Sequence, residues 1–371
     1  MAQHEATAER ASTAQAAEAS VHAPKRPRPS KGQGARKARR GRHDLVAYAY
    51  VAPATVLLLV FGVLPLAVSL WISLWKWGIF PERFIGMANY QEILESGLVV
   101  VDAAGNTQAG PVGQALANTL YYVALTLLGT IGPSFLVAYL LFRIRTLRDV
   151  LQTVYFMPFA TTAVAAALVF AWIFNSHFGI ANGVLTALGL PEQQWLLDPT
   201  PVGRPLADAL TGGHAERIPT ALQGPSLALC VVILFNVWNV LGFAVAIYLS
   251  GLAGMPAELL DAAEVDGASS LQRFRHIVVP LMRPTTLFLT IYLTVSAFKA
   301  FTPVFALTQG GDGQREAGGP LGSTNMLTIE IFNNFYQRSD RVGYACAVAV
   351  ILLIAVGALS ALQFRVFRER P

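Results

Sequence analysis

Four acidic residues lie within nine positions of a polar segment that separates two long apolar stretches of the chain. Glu258, Asp261, Glu264 and Asp266 fall in the sequence MPAELLDAAEVDGASS, which begins the segment from residue 255 to residue 284. Pro256 suits the first turn of a helix, and carboxylates near a helix N-terminus are favoured by the helix dipole. The pattern predicts a short exposed helix whose carboxylates can pair with basic groups on a partner protein.

The predicted helix also has a face of mostly small side chains and a defined end. The residues of that face are spaced by three and four positions: Leu259, Ala262, Ala263, Gly267 and Ser270. Residues at this spacing share one side of a helix. Gly267 is a natural helix terminator, and a new turn is expected from Ser269 to a break at Pro280. The alternative interpretation is an amphipathic helix that lies on the membrane surface.

Polar side chains within apolar stretches form a second set of residues that could bind a ligand. Asn236 and Asn239 flank Trp238, so amides able to hydrogen-bond sugar hydroxyls lie beside a ring able to stack on a sugar face. The competing interpretation, hydrogen bonding between helices, is favoured by general experience with membrane bundles. Lys299 is a candidate for the same solute path, because intramembrane charges tend to face cavities. The alternative interpretation is that the side chain of Lys299 extends to the outer membrane–water interface.

Motifs for catalysis and for nucleotide binding are absent from the sequence. No G-x-x-x-x-G-K-[ST] phosphate loop occurs, and the Gly-rich run at 318–323 lacks the lysine that would reach a phosphate. No H-E-x-x-H, G-x-S-x-G or zinc-type Cys/His spacing occurs either. We therefore expect no catalytic residue, no metal site and no cofactor bound by this chain. Energy for transport must come from another subunit or from an ion gradient.

Composition indicates a membrane protein. Apolar residues make up 54% of the chain and charged residues 13%, against about 25% charged in ordinary soluble domains. A membrane-spanning helix needs roughly 20 apolar residues. Six stretches meet this requirement: 46–75, 116–142, 150–174, 225–250, 285–308 and 342–364. We predict an all-α polytopic membrane protein with six transmembrane helices, in which Lys299 is the one full charge within a span.

The distribution of basic residues predicts the orientation in the cell membrane. If both termini are cytoplasmic, 19 of the 27 Lys and Arg residues lie on the cytoplasmic side, in the tail, the connections 143–149 and 251–284, and the C-terminal end. Such a bias follows the positive-inside rule. The multi-pass orientation places the 255–284 segment in the cytoplasm.

The first 44 residues form a separate region. They carry ten Lys and Arg against four acidic residues and contain too few large apolar side chains to build a core, so we predict a disordered cytoplasmic tail. Its basic run at 36–42 has two interpretations, nucleic-acid binding and attraction to anionic lipid headgroups. Its position directly before the first span favours the lipid bilayer over nucleic acid as the partner. The region is not typical of a cleaved signal peptide.

The segment 255–284 resembles a known signature. The string DAAEVDGA, followed by Ile277, Pro280 and Pro284, is similar to the EAA loop of permease subunits in binding-protein-dependent ABC importers. In that family the helix of the loop docks on the ATP-hydrolysing subunit. Asp261 stands where the family usually has Glu, which keeps the charge and shortens its reach.

The resemblance extends over residues 45–368 and points to the carbohydrate-uptake branch, which includes maltose and glycerol-phosphate systems. It rests on FIGMANYQEIL at 84–94, ANT at 117–119, QTVYFMP at 152–158 and FKAFTPVFALTQGG at 298–311. One departure is visible. Where the family usually continues with GGP, this chain has GGDGQREAGGP, an insertion of about eight residues by that comparison.

The resemblance implies a cytoplasmic coupling loop within a permease domain at 45–368. Its partners would be a second homologous permease, a P-loop ATPase dimer that carries the ATP, and an extracytoplasmic solute-binding protein. The residues that it assigns to ATPase docking are Glu258, Asp261, Ala262, Ala263, Glu264, Asp266, Gly267 and Pro280. The alternative function is a stand-alone ion-coupled transporter. The absence of Asp and Glu from all six predicted spans is evidence against it. A membrane scaffold would give the loop no purpose.

Overall fold

A computed structural model describes residues 48–101, 107–144, 148–214, 218–308, 317–338 and 340–368 of the chain. The tail predicted for residues 1–44 lies outside this range, as do the residues from 309 to 316, which hold most of the insertion. The chain divides into two compact units, Met1–Leu66 and Ala67–Pro371. The described part of the first unit, residues 48–66, is helical.

Most described residues are helical, with two small antiparallel hairpins. The helices are α1 (Tyr48–Ile72), α2 (Ala88–Glu92), α3 (Pro111–Arg143), α4 (Arg148–Ala160), α5 (Ala163–Ile173), α6 (Ile180–Ala187), α7 (Arg204–Thr211), α8 (Leu227–Ala253), α9 (Ala257–Val265), α10 (Ser270–Leu281), α11 (Arg283–Phe298), α12 (Thr302–Thr308), α13 (Leu327–Phe332) and α14 (Val342–Arg368). The strands are β1 (Trp75–Trp77), paired with β2 (Pro81–Phe84), and β3 (Val99–Val101), paired with β4 (Thr107–Ala109). The hairpins and short helices occupy the long connections, and they add β-structure that the all-α prediction did not include.

The helices account for the predicted spans. Within the described residues, α1, α3, α8 and α14 are each long and apolar enough to cross a membrane. Two further candidates are bent pairs, α4 with α5 at 94° and α10 with α11 at 60°. If each bent pair is one span, the number reaches the predicted six.

The fifth predicted span, 285–308, is interrupted. Helix α11 ends at Phe298, Lys299 serves as its C-cap, and α12 resumes at Thr302. The carbonyl oxygen of Ala300 in this gap accepts a hydrogen bond from Thr328 Oγ1 at 2.6 Å. The predicted span therefore contains a break beside Lys299, where a side chain from a later segment satisfies the backbone at the point at which the helix stops.

The first connection after α1 is built around one buried asparagine. Asn89 donates from Nδ2 to the carbonyl oxygens of Ser73 at 2.7 Å and Trp75 at 3.1 Å. The hydroxyl of Ser73 lies 2.7 Å from that of Tyr90. These bonds satisfy carbonyl groups freed where α1 ends and β1 begins. The string FIGMANYQEIL therefore has a structural role in the second unit.

Close packing between α8 and α4 depends on a glycine. A Cβ added to Gly242 would lie 1.8 Å from the carbonyl oxygen of Tyr155, whereas one added to Gly132 in α3 would have no atom within 4 Å. The buried core beside this contact includes Ala244, Val245 and Tyr248. The position of α4 against the bundle thus requires a residue without a side chain at 242.

We expect Gly242→Ala to lower the thermal unfolding midpoint of the detergent-solubilised protein, because the new methyl group forces α4 away from α8. Overpacking of this kind costs about 1–3 kcal/mol. Gly132→Ala is the matched control: it gains helix propensity and meets no neighbour, so its midpoint should equal or exceed that of the wild type. Equal midpoints for Gly242→Ala and the wild type would contradict this account of the packing.

Candidate functional site

The helix predicted between residues 255 and 284 is α9. Pro256, with extended backbone, is its N-cap residue, and Glu258 lies in the first turn, where the dipole favours a carboxylate. Asp261, Ala262 and Val265 share a face with Glu258 at helical spacing, and all four side chains are exposed. The arrangement presents two carboxylates beside a small apolar patch, which is a surface suited to a protein partner.

The opposite side of α9 is anchored to the bundle. Leu260 and Met255 pack against a buried cluster formed mainly by α3 and α8. Phe274 in α10 stacks on Phe135, with ring centroids 5.4 Å apart, and lies 4.7 Å from the ring of Tyr139. The exposed face of α9 is therefore held in a defined position relative to two of the long helices.

Gly267 ends α9 in the way that the sequence predicts. Its φ of 75° lies in the left-handed region, and its N–H donates to the Glu264 carbonyl at 3.0 Å. The next amide, that of Ala268, donates to the carbonyl of Ala263 at 2.9 Å. Such a turn satisfies the last carbonyls of a helix and favours glycine. A Cβ at 267 would meet open space, so the requirement for glycine is conformational.

Helix α10 starts with a capping box that the sequence analysis missed. Ser269 Oγ accepts from the Gln272 amide at 3.4 Å, and Gln272 Oε1 accepts from the Ser269 amide at 2.8 Å. The S-x-x-Q spacing was the available signal. Arg273, one residue further, forms an ion pair with Glu264. Glu264 is thus already engaged within the chain.

The turn and α10 enclose a shallow groove of about 370 Å³ that Asp266 and Gly267 line together with Arg273. Asp266 is the C-cap residue of α9 and is exposed. All four carboxylates assigned to docking, Glu258, Asp261, Glu264 and Asp266, are exposed, and Glu264 is in addition paired with Arg273.

Pro280 lies inside α10, and the bend falls two residues later than predicted. Met282, which is buried, separates α10 from α11, and its amide donates to the Val278 carbonyl at 3.0 Å. Gly251 of α8 comes so close to the bend that an added Cβ would be 2.6 Å from Met282 Cε. The helix continues past Pro280 because the turn before it, Phe274–Val278, is π-helical, and this wider turn accommodates a residue with no N–H and a bulky ring.

The two candidate asparagines of the solute path make contacts between helices. Asn239 donates from Nδ2 to the Pro158 carbonyl at 2.8 Å, and Asn236 donates to Thr126 Oγ1 at 3.4 Å. The Pro158 carbonyl also accepts from Thr161 Oγ1 at 2.7 Å. Asn239 thus satisfies the backbone beside the 94° break between α4 and α5, which is the helix–helix use of such a residue.

Trp238 and Lys299 are less constrained. Trp238 lies between the asparagines in sequence but on another face of α8, partly exposed, with its ring 5.1 Å from that of Phe170. Lys299 is exposed at the end of α11. Among the described residues its ammonium group forms no hydrogen bond or ion pair. Both side chains are therefore accessible to a ligand, and their role in a solute path stays a prediction.

Comparison with known proteins identifies relatives over most of the chain. Residues 129–370 match the profile of the family described as binding-protein-dependent transport system inner membrane component. The chain is 27% identical to the probable ABC transporter permease protein YurN of Bacillus subtilis over 88% of its own length and 97% of that protein. It is 26% identical to the trehalose/maltose transport system permease protein MalF of Thermococcus litoralis, over 89% and 96%.

A solved structure shares the fold. The chain resembles one chain in the structure of a bacterial alginate ABC transporter in complex with an alginate pentasaccharide-bound periplasmic protein. The TM-score is 0.67 and the sequence identity is 18%. The likeness covers 89% of this chain and 96% of that one.

We expect Gly267→Val to loosen the turn between α9 and α10, because a β-branched residue is strained at a φ of 75°. The cost is about 1–3 kcal/mol. Hydrogen–deuterium exchange of the intact protein should show faster exchange at residues 263–273. Gly267→Asn should exchange like the wild type, since Asn tolerates this conformation. Gly254→Ala, in the same connection at a φ of −83°, is the control. Unchanged exchange in Gly267→Val would refute the conformational requirement.

Proposed function

We propose that this chain, which belongs to the family of binding-protein-dependent transport system inner membrane components, forms one half of a solute path that is opened by ATP hydrolysis on separate subunits. The chain is the transmembrane permease subunit of an ABC importer. The resemblance seen in its sequence is thereby confirmed, and so is the polytopic helical permease fold. An ion-coupled carrier has no such support.

The observation that carries the proposal is the exposed face of α9. This face consists of Glu258, Asp261, Ala262 and Val265. Leu260 anchors α9 from behind, and Phe274 of the following helix α10 packs on the aromatic rings of α3. A helix that is exposed on one face and fixed on the other can receive a partner and pass its movement to the bundle. We assign this face to the P-loop ATPase, which would bind the ATP.

The remaining parts of the assembly follow from the same assignment. The chain is a multi-pass membrane protein, and the distribution of Lys and Arg supports cytoplasmic termini. A second homologous permease would complete the path, and an extracytoplasmic binding protein would deliver the solute. The alginate transporter with its periplasmic protein supports the latter partner.

A sugar or a related polar solute is the substrate class that we propose. Relatives named for trehalose and maltose support this class. Trp238 offers an accessible ring for stacking against a sugar face, and Lys299 offers a donor without a partner among the described residues. Asn236 and Asn239 hold neighbouring helices in place and so shape the path in addition to any contact with solute.

We expect Val265→Asp to weaken docking of the ATPase. Val265 is 89% exposed, so the substitution leaves the fold intact but places a charge in the apolar part of the α9 face, at the last residue of the helix. Co-purification of the ATPase with the permease and ATP hydrolysis stimulated by the loaded binding protein should both fall at least tenfold, the equivalent of about 1.4 kcal/mol.

Leu188→Asp is the matched control for this test, because Leu188 is also exposed but follows α6 at the opposite end of the bundle. It should co-purify with the ATPase like the wild type. Normal stimulated hydrolysis in Val265→Asp vesicles would exclude the α9 face as the docking site.

We expect Trp238→Leu to lower the maximal uptake rate at saturating loaded binding protein by roughly threefold to tenfold. Loss of ring stacking on a sugar costs about 0.5–1.5 kcal/mol. The thermal midpoint should fall less than in Asn239→Leu, because leucine retains an apolar side chain beside Phe170 and Phe235. Asn239→Leu should instead lower the midpoint, since the Pro158 carbonyl loses a donor. Wild-type uptake by Trp238→Leu would remove Trp238 from the solute path.

A further inference from the structure

Glu264 is the one carboxylate of α9 that has a partner among the described residues. Its side chain forms an ion pair with Arg273 of α10, whereas the side chains of Glu258 and Asp261 form no ion pair or hydrogen bond in that part of the chain. The side chain of Glu264 is 70% exposed and that of Arg273 is 20% exposed. The arginine is therefore the more firmly held partner, and the glutamate is the more accessible one.

Neither residue of this pair lies where its own helix favours its charge. Glu264 is in the last turn of α9, which ends at Val265, and Arg273 is in the first turn of α10, which begins at Ser270. A helix dipole favours anions at the N-terminus and cations at the C-terminus. Both charges thus oppose the dipoles of the helices that carry them, and each is compensated by the other. The pair serves the contact between the two helices rather than the stability of either one.

The pair crosses the turn that connects α9 to α10. The amides of Gly267 and Ala268 bond back to α9, and the capping box of Ser269 belongs to α10. In the part of the chain that the structure describes, the bond between Glu264 and Arg273 is the one side-chain hydrogen bond or ion pair that joins the two helices. Without it, rotation about the permissive backbone of Gly267 would let α9 tilt while α10 stays in place.

Arg273 precedes the residue through which α10 packs into the bundle. Phe274 stacks on Phe135 of α3, with ring centroids 5.4 Å apart. It also packs against the buried cluster that contains Met282, the residue at the bend between α10 and α11. A displacement of α9 that passes through Arg273 therefore reaches α3 and the bend directly.

We propose that Glu264 and Arg273 are positioning residues that lock α9 to α10, so that the two helices move as one rigid unit when the ATPase displaces α9. The sequence resemblance assigns Glu264 to the interface with the ATPase. In this proposal its charge is used within the chain, and the exposed face of α9 makes the contact. The pair then determines how much of the ATP cycle reaches the solute path. This inference rests on the proposed function, in which α9 receives the ATPase.

The first test separates docking from coupling in the intact importer, reconstituted with its cognate loaded binding protein. Glu264→Gln should co-purify with the ATPase like the wild type, because the exposed face of α9 is unchanged. The number of solute molecules transported per ATP hydrolysed should fall about twofold to fivefold, the range that an exposed ion pair supports. Glu82→Gln is the matched control, since it removes the carboxylate of another exposed pair, Lys76–Glu82 in the β1–β2 hairpin. Its transport per ATP should equal that of the wild type.

Exchange of the two charges distinguishes a pair within the chain from a contact with the ATPase. Glu264→Arg places two cations together and should lower transport per ATP further than Glu264→Gln does. The double variant, Glu264→Arg with Arg273→Glu, re-forms the pair and should recover most of the wild-type value. Loss of ATPase co-purification in both Glu264→Arg and the double variant would overturn the proposal in favour of direct contact between Glu264 and the ATPase.

A measurement without the ATPase tests the lock itself. Hydrogen–deuterium exchange of the full chain in nanodiscs should be faster at residues 257–268 in Glu264→Gln than in the wild type, and the double variant should reverse this change. Wild-type exchange together with wild-type transport per ATP in Glu264→Gln would overturn the lock while leaving the importer assignment intact. Failure of any P-loop ATPase to co-purify with the wild-type chain would instead refute the proposed function.

Discussion

Backbone groups that leave a helix within the hydrocarbon region must find a hydrogen-bond partner inside the protein, because lipid offers none. This constraint is visible at two interruptions of the helices among the described residues. The Pro158 carbonyl, beside the break in the third span, accepts from Asn239. The Ala300 carbonyl, in the gap after α11, accepts from Thr328. At each of these two breaks a polar side chain from a distant segment helps to satisfy the freed backbone.

The same constraint explains which surfaces of the bundle can bind partner proteins. Irregular backbone inside the bundle is committed to internal hydrogen bonds, so surfaces for other proteins lie at the ends of the helices. At one end Gly267 and the capping box of Ser269 hold α9. At the other end Asn118 and Ser226 hold the segment Gly318–Asn325. In both places hydrogen bonds fix the backbone while outward side chains, such as Val265 and Leu321, stay exposed.

Features of the fold that depend on neighbouring residues were predicted from the sequence better than features that depend on contacts between distant segments. The positions of the spans follow from composition, and the start and stop of α9 follow from Pro256 and Gly267, because these depend on neighbouring residues. The end of α11 at Lys299 was not predictable, since Thr328, which satisfies the gap that follows, lies 28 positions after Ala300. The partner of Asn239 lies 81 positions earlier. The capping box of Ser269 and Gln272 could have been recognised from its S-x-x-Q spacing but was missed.

Movement of α9 cannot be confined to the loop that carries it. The cluster that buries Leu260 and Phe274 also contains Met282, the residue at the bend between α10 and α11. Tyr248 of the same cluster donates to Thr286 Oγ1 at 3.1 Å, and that hydroxyl donates to the Met282 carbonyl at 3.0 Å. Close-packed clusters rearrange between discrete states rather than deform gradually. A partner that shifts α9 must therefore repack this cluster and change the angle at Met282.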